Sequence, residues 1–406
     1  MTATPFVASE HPYRWAILAG LWFMYFCFGL SVASLAPLVL PITQALDISH
    51  AAMGSVLGAW PLVYIAAAIP SGAILDRLGP RRSLFIAMLI IAISGLMRGA
   101  AQNYLAMFIA VATFGLGGPM ISVGAPKLVS QWFVGKERGL AMGVYITGPS
   151  LGAVASLSLT NSILMPLFDG DWRRVMSVYA GLAFIAGLVW LFVGAHPAAR
   201  ALERQNAAEP KAGQIAVFKH LIGLRPVQLV MLMSMCMFFF THSLNNWLAE
   251  ILRSGGMSPT ASGYWASIPM LVGIISALAI PRLATPERRV YILAGLIASA
   301  GAATLLLQAG SGPLLALALI CQGISRGSMV TVSVLMLMEL RGVDQRNTGA
   351  VSGLFFSAAE IGGVLGPLSV GVLHDATGSF TSALYVLTAV CTVLLLLLGL
   401  LRRTGT

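Results

Sequence analysis

Two ionisable side chains lie near the centres of long apolar stretches of this sequence. Arg326 is thirteen residues into the apolar run 313–338, and Glu360 is fourteen residues into the run 346–372. A charge at the centre of a bilayer costs about 3 kcal/mol or more, so charges found there usually serve function or pair with one another. We predict that Arg326 binds an anion and that Glu360 carries a proton. The alternative is a buried ion pair that fixes helix packing, because the two runs are antiparallel and bring both charges to a similar depth.

A third ionisable residue, His242, lies sixteen residues into the apolar run 226–251. Helical spacing places Asn245 and Asn246 on the same face, which we expect to line water and substrate. An imidazole gains or loses a proton near neutral pH, so His242 is a second candidate proton carrier. The alternative is a hydrogen-bonded structural histidine. The other polar side chains that we expect to bind substrate are Tyr25, Tyr145 and Gln322, and those expected to extend a hydrated path are Tyr64, Thr147 and Asn161.

The composition indicates that these residues lie in a membrane. The 406 residues are 58% hydrophobic and 9% charged, with a mean hydropathy of +0.87, whereas a soluble domain carries about 25% charged residues. Twelve apolar runs are long enough to cross about 30 Å of hydrocarbon, so we predict an all-α membrane protein. The predicted spans are 14–40, 53–75, 83–101, 104–131, 138–166, 174–194, 226–251, 260–281, 289–308, 313–338, 346–372 and 380–401.

The positive charges predict the orientation. With a cytoplasmic N-terminus, eighteen of the twenty-four lysines and arginines fall on the inner side and four on the outer side. Because cytoplasmic loops carry the excess of Lys and Arg, both termini are expected in the cytoplasm, with the chain in the plasma (inner) membrane. The bias also explains the net charge of +10 without a nucleic-acid partner. We expect Arg98 to anchor the outer interface and Lys127 to extend to the inner surface. The alternative for Lys127 is attraction of an anionic substrate.

The longest polar connector divides the twelve spans into two sets of six. We predict an N-terminal six-helix bundle over 1–194, a cytoplasmic linker over 195–225 and a C-terminal six-helix bundle over 226–406. The halves are weakly related, since Gly152 matches Gly362 at an offset of 210 residues and other short matches share nearly the same offset. Two parallel repeats of one bundle would leave such a pattern.

The loop between the second and third spans has a distinctive order of residues. Residues 72–82 read Gly-Ala-Ile-Leu-Asp-Arg-Leu-Gly-Pro-Arg-Arg. Gly79 permits a turn with positive φ, and Asp76 can accept hydrogen bonds or lie near a helix N-terminus of the other bundle. The basic side chains, which we expect to face anionic headgroups and the inner surface, are Arg77, Arg81 and Arg82. The alternative is a basic loop that serves only to orient the chain.

This order closely resembles the signature loop Gly-x-x-x-Asp-Arg-x-Gly-x-Arg-Arg of the major facilitator superfamily of secondary transporters. The resemblance implies two pseudo-symmetric six-helix bundles around a cavity that opens alternately to either side of the membrane. It also implies a gating role, a latch on the cytoplasmic side, for Asp76, Arg77, Gly79, Arg81 and Arg82. The corresponding loop of the second half, 281–289, keeps basic residues but lacks the Asp-Arg pair and the turn glycine.

Shorter segments resemble particular branches of that superfamily. Residues 35–41 and 246–252 are similar to the cyanate/nitroimidazole and nitrate-type porters, although the paired arginines of a nitrate site are missing. Residues 143–152 resemble in part the glycine-proline motif of proton antiporters. The basic residue that the drug antiporters carry in the fourth span is replaced by Val111, which argues against a proton mechanism copied from them.

We therefore predict proton-coupled transport, by symport, of a small organic anion. The first alternative is proton-driven efflux of a hydrophobic or cationic compound, and the second is a membrane receptor that transports nothing. The sequence has no phosphate-binding loop and no catalytic constellation, so we expect neither enzymatic activity nor a cofactor. The four cysteines are far apart and without metal-ligand spacing, and we expect no metal site. The expected partners are the substrate, protons and the lipid bilayer, with the protein acting as a monomer.

Overall fold

A computed structural model describes residues 11–206, 222–309, 312–338, 340 and 348–403. Within these ranges the chain forms twelve helices that are long and apolar enough to cross a membrane, and no β-strand. The helices are α1 (Arg14–Leu46), α2 (50–78), α3 (80–100), α4 (Tyr104–Trp132), α5 (Gly135–Leu167), α6 (Trp172–Val193), α7 (Arg225–Ser254), α8 (Pro259–Leu283), α9 (Arg289–Ala309), α10 (Pro313–Leu337), α11 (Thr348–Thr377) and α12 (Thr381–Arg403). A short linker helix, Pro197–Asn206, follows α6.

The predicted number of spans is confirmed, and the span end that lies furthest from its predicted position is that of α1. The prediction ends this span at residue 40, whereas the helix ends at Ala33 and resumes through a 3₁₀ turn, Ala36–Leu38, into a helix over Val39–Leu46. Pro37 lies in this break. Proline has no N–H for the helical ladder but has a helix-compatible φ, so the chain loses a hydrogen bond at the break and then forms a helix again.

The turn predicted at Gly79 is confirmed. Helical residues extend from His50 to Ala100 on both sides of Gly79, but Gly79 itself has φ 75° and ψ 165°, which separates α2 from α3. This backbone region is accessible almost only to glycine.

The two bundles, α1–α6 and α7–α12, use the same internal packing. In the first bundle α1 packs on α5, and in the second the equivalent α7 packs on α11. Gly152 of α5 and Gly362 of α11 permit these contacts, because a Cβ on either would overlap a backbone carbonyl, that of Phe26 or Met235 respectively. Small residues at such positions let two membrane helices approach closely. The repeat read from the sequence thus corresponds to a repeated helix contact.

The bundles meet through two helix pairs that are also related by the repeat, α2 with α11 and α5 with α8. We call the side of the molecule where α1 begins and α12 ends the terminal face, and the opposite side the distal face. Close backbone approaches between the bundles lie in the distal half. Positions that leave no room for a Cβ there include Gly54 against Pro367, Gly371 against His50 and Gly263 against Leu157.

Arg98 does not anchor an interface as expected, because its side chain is only 3% exposed. Its Nη1 donates to the carbonyl of Ser31 and to Oγ of Ser34, each at 3.0 Å, and its guanidinium lies 5.4 Å from the ring centroid of Phe114. Arg98 therefore donates hydrogen bonds to α1 at the point where the backbone hydrogen bonding of that helix is interrupted. The sequence correctly placed Arg98 at the end of a span, but it did not predict the direction in which the side chain points.

Candidate functional site

Arg326 of α10 lies at the side of the second bundle that faces α5. Its Nε donates to Oδ1 of Asn245 on α7 at 3.0 Å. The side chain borders a small cavity of about 130 Å³ between the bundles, whose polar lining includes Thr147, Ser150 and Thr331. Among the described residues no carboxylate forms an ion pair with Arg326. The guanidinium is therefore held in place by a neutral amide and keeps donors for an anion.

Glu360 and His242 face each other at Gly363. A Cβ on Gly363 would lie 2.5 Å from Nδ1 of His242 and 2.7 Å from Oε2 of Glu360. Glu360 is 5% exposed, and both of these polar atoms are buried without a hydrogen-bond partner in the part of the chain that the structure describes. A buried polar group without a partner is costly, so such an arrangement indicates a place where a proton or a ligand completes the bonding.

Both groups also face the first bundle. The ring of Trp60 on α2 stands edge-on to the His242 imidazole, with 5.4 Å between the centroids. Tyr64, one turn further along α2, is close enough to Glu360 to interact with it electrostatically. Movement of α2 against the second bundle would therefore change the surroundings of the acid and the imidazole together.

The alternative interpretation, a buried ion pair between Arg326 and Glu360, is not what the structure shows. Arg326 is held by Asn245, and Glu360 lies beside His242 at Gly363. The depth of each charge in its span was predictable from the sequence, but the rotation of each helix was not. Helix α10 packs mainly on α8 and α9, so it turns Arg326 away from α11.

Of the other predicted substrate-binding residues, only Asn245 joins this group directly. The Nδ2 of Asn246 donates to the carbonyl of His242 at 2.8 Å, which stabilises its own helix. Tyr25 and Tyr145 are buried in the first bundle with their rings edge-on at 5.3 Å, and the Tyr25 hydroxyl donates to the carbonyl of Ile121. Gln322 is buried in α10. Asn246 and the two tyrosines thus contribute to helix packing in this arrangement.

The predicted gating residues line a cleft of about 480 Å³ at the terminal face. Asp76 accepts a hydrogen bond from Nζ of Lys127 on α4 at 2.7 Å, so Lys127 forms an ion pair instead of extending alone to the surface. Nε of Arg81 donates to the carbonyl of Leu191 on α6 at 3.1 Å. Arg77 and Arg82 are exposed on the walls of the cleft.

The linker helix closes one side of this cleft with Glu203. Its carboxylate accepts a hydrogen bond from the backbone N–H of Arg81, and Oε1 occupies the place where a Cβ on Gly79 would be. Gly79 therefore has two functions, because it adopts the positive φ of the turn and also leaves room for Glu203. The signature pattern predicts the turn, whereas the contact with a residue more than a hundred positions away follows only from the fold.

Replacing Gly79 by alanine is expected to strain the turn by about 1–3 kcal/mol and to displace Glu203 from the cleft. The measurement is thermal unfolding of purified protein in detergent, where the variant should melt at a lower temperature than wild type. Gly72→Ala is the matched control, because Gly72 is helical and has open space around its Cβ position. An equal loss of stability in both variants would contradict this account.

The packing of Glu203 should also depend on pH. Burial raises the pKa of the Glu203 carboxyl, against the lowering effects of the Arg81 N–H and the nearby arginine charges. A raised pKa in the folded state means that the folded protein favours the protonated Glu203 carboxyl. The stability that Glu203 contributes is therefore greatest below its ordinary pKa of about 4.3 and decreases as pH rises through the raised value. We expect Glu203→Gln to remove this dependence, and we expect the effect to be small because solvent screens a partly exposed carboxyl. The measurement is melting temperature against pH, with the exposed Glu137→Gln as control; parallel curves for wild type and Glu203→Gln would contradict the prediction.

The distal face contains a contact that sequence analysis missed. Both carboxylate oxygens of Asp375, at the end of α11, accept backbone hydrogen bonds at the start of α2, from His50 at 3.1 Å and from Ala51 at 2.7 Å. A carboxylate at a helix N-terminus is stabilised by the unsatisfied N–H groups and the helix dipole. His50 and Asp375 are 325 residues apart in the sequence, and no local sequence pattern predicts that they meet.

Asn161 forms a second contact of this kind. Its Nδ2 donates to the carbonyl of Pro37 in α1 at 3.0 Å and to that of Pro259 in α8 at 3.3 Å. The carbonyl of Pro37 lacks a helical partner because Pro41, four residues later, has no N–H. Asn161 therefore joins α1 and α8 across the two bundles, instead of lining a hydrated path as predicted.

Comparison with known proteins gives a consistent result. The model of the Major Facilitator Superfamily matches residues 21–307 and 230–406. The chain is 28% identical over 392 residues to the "Uncharacterized transporter YycB" of Bacillus subtilis (strain 168), covering 93% of this chain and 91% of that protein. It is 24% identical to the "Probable galactarate/D-glucarate transporter GudP" of Escherichia coli (strain K12), covering 82% and 80%. It is also 25% identical to the "Quinolone resistance transporter" of Acinetobacter baumannii, covering 84% and 83%.

Solved structures agree at the level of fold. The nucleoside transporter NupG aligns with a TM-score of 0.78 at 15% identity, covering 97% of this chain and 100% of that structure. At this identity the likeness concerns the arrangement of helices alone.

Proposed function

Since this chain belongs to the Major Facilitator Superfamily, we propose that it transports a small organic anion together with protons, by alternating access of one cavity to the two sides of the membrane. It is an integral membrane protein and a transporter of a small solute, not an enzyme. The proposal concerns the chemical class of that solute, the coupling ion and the residues that bind them.

The observation that carries the anion proposal is Arg326. A guanidinium that borders an inter-bundle cavity, positioned by a neutral amide and not by a carboxylate, is suited to bind a carboxylate of a solute. The relative named for galactarate and D-glucarate fits this chemistry, since both compounds are sugar acids. Other relatives are named for D-galactonate and tartrate transport, which are also organic anions. The substrate class that we propose is a hydroxylated carboxylic acid.

The coupling proposal is based on Glu360 and His242. Proton binding neutralises the Glu360 carboxylate in its buried position, and proton release leaves a charge that needs a partner or water. The two groups share the space at Gly363 and face Trp60 and Tyr64 of the other bundle. Relative movement of the bundles would alter the hydration of both groups, which links proton release to the change of access.

We further propose that the terminal face is cytoplasmic and that this structure is closed at the distal, outer face. The charge distribution of the sequence supports the orientation, and the backbone contacts between the bundles in the distal half support the closure. The cleft residues around Asp76 and Gly79 would then act as the latch that forms or breaks as the bundles rock. One chain supplies both walls of the cavity, which is consistent with a monomer.

The test is uptake into proteoliposomes that contain the purified protein. We expect galactarate, glucarate or a related sugar acid to accumulate, and accumulation to increase when the outer solution is more acidic than the lumen. Lack of uptake for every sugar acid, combined with movement of a cationic or hydrophobic compound, would contradict the anion proposal.

The second candidate function is proton-driven efflux of a hydrophobic or cationic compound. The observation that favours it is the relative named for quinolone resistance, together with the buried carboxylate of Glu360, which could bind a cation. The same vesicles distinguish the two functions, because efflux of a quinolone would be independent of Arg326 and dependent on Glu360.

A further inference from the structure

Three side chains from opposite bundles converge at the distal face, beside the backbone hydrogen bonds that Asp375 accepts at the start of α2. We call His50, His374 and Asp375 the distal cluster. The Nδ1 atoms of His50 and His374 lie 3.4 Å and 3.8 Å from Oδ1 of Asp375. One ligand atom from each residue can be chosen so that all three lie within 4.8 Å of one another.

The cluster is accessible and has spare bonding capacity. The side chains of His50, His374 and Asp375 are 25%, 19% and 30% exposed, so an ion in the distal solution can reach them. Nδ1 of His374 is buried without a hydrogen-bond partner among the described residues. Asp375 uses its oxygens for the α2 cap at 3.1 and 2.7 Å, and a carboxylate oxygen has a further lone pair.

The surrounding aromatic residues hold both imidazoles in place. The two imidazole rings are 3.8 Å apart, the His374 ring lies 4.3 Å from that of Phe380, and the His50 ring stacks on Trp247 at 5.9 Å. Glu250 of α7 is the other acidic group that interacts electrostatically with His374, and its carboxylate is paired with Arg253. The rotamers of the two histidines are thus restricted before any ion binds.

Two imidazole nitrogens and one carboxylate oxygen form a donor set that suits Zn²⁺ and similar divalent transition metals, and does not suit Mg²⁺. Tetrahedral Zn²⁺ with bonds of about 2.0–2.1 Å places its ligand atoms about 3.3 Å apart. Both Nδ1-to-Oδ1 separations in the distal cluster, 3.4 Å and 3.8 Å, are close to this value, and all three ligand atoms lie within 4.8 Å of one another.

We propose that the distal cluster is a binding site for a divalent transition-metal ion, which clamps α2 to α11 and holds the distal face closed. Three protein ligands leave the fourth position of a tetrahedral ion for water. The ion would bridge the two bundles at the place where they must separate for the distal face to open. The binding part of this proposal is independent of the proposed substrate, whereas the clamp rests on the proposed alternating access.

The first experiment measures binding with ZnCl₂ and tag-free protein. We expect a saturable rise in melting temperature and one bound Zn²⁺ per chain, with no comparable effect of MgCl₂. Apparent affinity should fall by at least about tenfold in His374→Gln and in His50→Gln, while His196→Gln, at the terminal face, should bind as wild type does. Absence of saturable binding, or equal binding in all variants, would overturn the proposal.

A spectroscopic measurement on the wild-type protein tests the site independently of any folding defect in the variants. Co²⁺ added to wild-type protein should give the intense visible absorption of a four-coordinate ion, and Zn²⁺ should displace it. A spectrum of hydrated octahedral Co²⁺ alone would overturn the site whatever the behaviour of the variants.

The second experiment adds ZnCl₂ to the distal side of proteoliposomes during uptake. Inhibition of wild type, relieved by EDTA and weakened in parallel with the loss of binding in His374→Gln, supports the clamp. Stoichiometric binding without inhibition would overturn the clamp and leave the transport proposal untouched. Vesicles with no uptake in the absence of zinc would contradict the transport proposal, while the binding result would remain valid.

Discussion

Arg326→Ala is expected to abolish sugar-acid uptake by reconstituted protein. Removal of one partner from a buried, hydrogen-bonded charge contact costs about 2–5 kcal/mol, which corresponds to a loss of roughly 30-fold or more in affinity for the anion. The reason is specific to this arginine, because its Nε is fixed by Asn245 and its remaining donors border the cavity. The measurement is initial uptake of labelled substrate against concentration, with binding followed by thermal shift.

Two variants separate the charge of Arg326 from its geometry. Arg326→Lys keeps the positive charge but lacks the planar fork that binds a carboxylate through two bonds, so it should retain only part of the affinity. Asn245→Ala removes the acceptor that positions Nε and should weaken binding less than Arg326→Ala does. Arg174→Ala is the control for net charge, since Arg174 is exposed at the distal face and pairs with Asp171.

Wild-type uptake by a well-folded Arg326→Ala protein would exclude Arg326 as the anion site. A variant that loses sugar-acid uptake but still exports a quinolone would instead favour the efflux function. Melting temperature and elution volume of each variant establish that the loss is not a loss of folding.

Glu360→Gln is expected to uncouple transport from the proton gradient. Glutamine has the shape of the protonated acid but cannot release a proton, so the carrier should still exchange labelled for unlabelled substrate. Accumulation driven by an acidic outer solution should fall by about tenfold or more. A tenfold loss corresponds to about 1.4 kcal/mol of driving free energy that the proton no longer supplies. The measurement compares gradient-driven uptake with substrate exchange in the same vesicles.

The neighbouring residues provide controls for this prediction. His242→Gln tests whether the imidazole shares the proton, and Gly363→Ala inserts a methyl group into the space between Nδ1 of His242 and Oε2 of Glu360. Both should impair gradient-driven uptake. Glu137→Gln, which removes a half-exposed carboxylate paired with Arg14, should not. Full gradient dependence in Glu360→Gln would refute the coupling role.

The sequence predicted the helices well because their formation is a local matter. A backbone in hydrocarbon must satisfy its own hydrogen bonds, so each long apolar run forms a helix whatever its neighbours do. The turn at Gly79 followed from the same kind of reasoning, since positive φ is a property of one residue. The signature loop around it indicated the family to which the chain belongs.

The side-chain partners at the candidate site were less predictable. Position along a span gives the depth of a charge, and this placed Arg326 and Glu360 correctly near mid-span. Which neighbour each side chain meets depends on the rotation of its helix, and rotation is set by packing against other helices. For that reason the ion pair considered as the alternative is not formed. Arg326 instead bonds to Asn245 and Glu360 lies beside His242, and their proposed functions stay predictions.

The sequence by itself determined the number of spans, their division into related halves and the turn of the signature loop. The tertiary structure alone decided that Lys127 pairs with Asp76, that Arg98 supports the break in α1, and that His50 meets His374 and Asp375. The physical reason is the range of the forces involved. Hydrophobic length and backbone geometry act within one segment, whereas ion pairs, caps and metal-ligand sets need side chains that only packing of separate helices brings together.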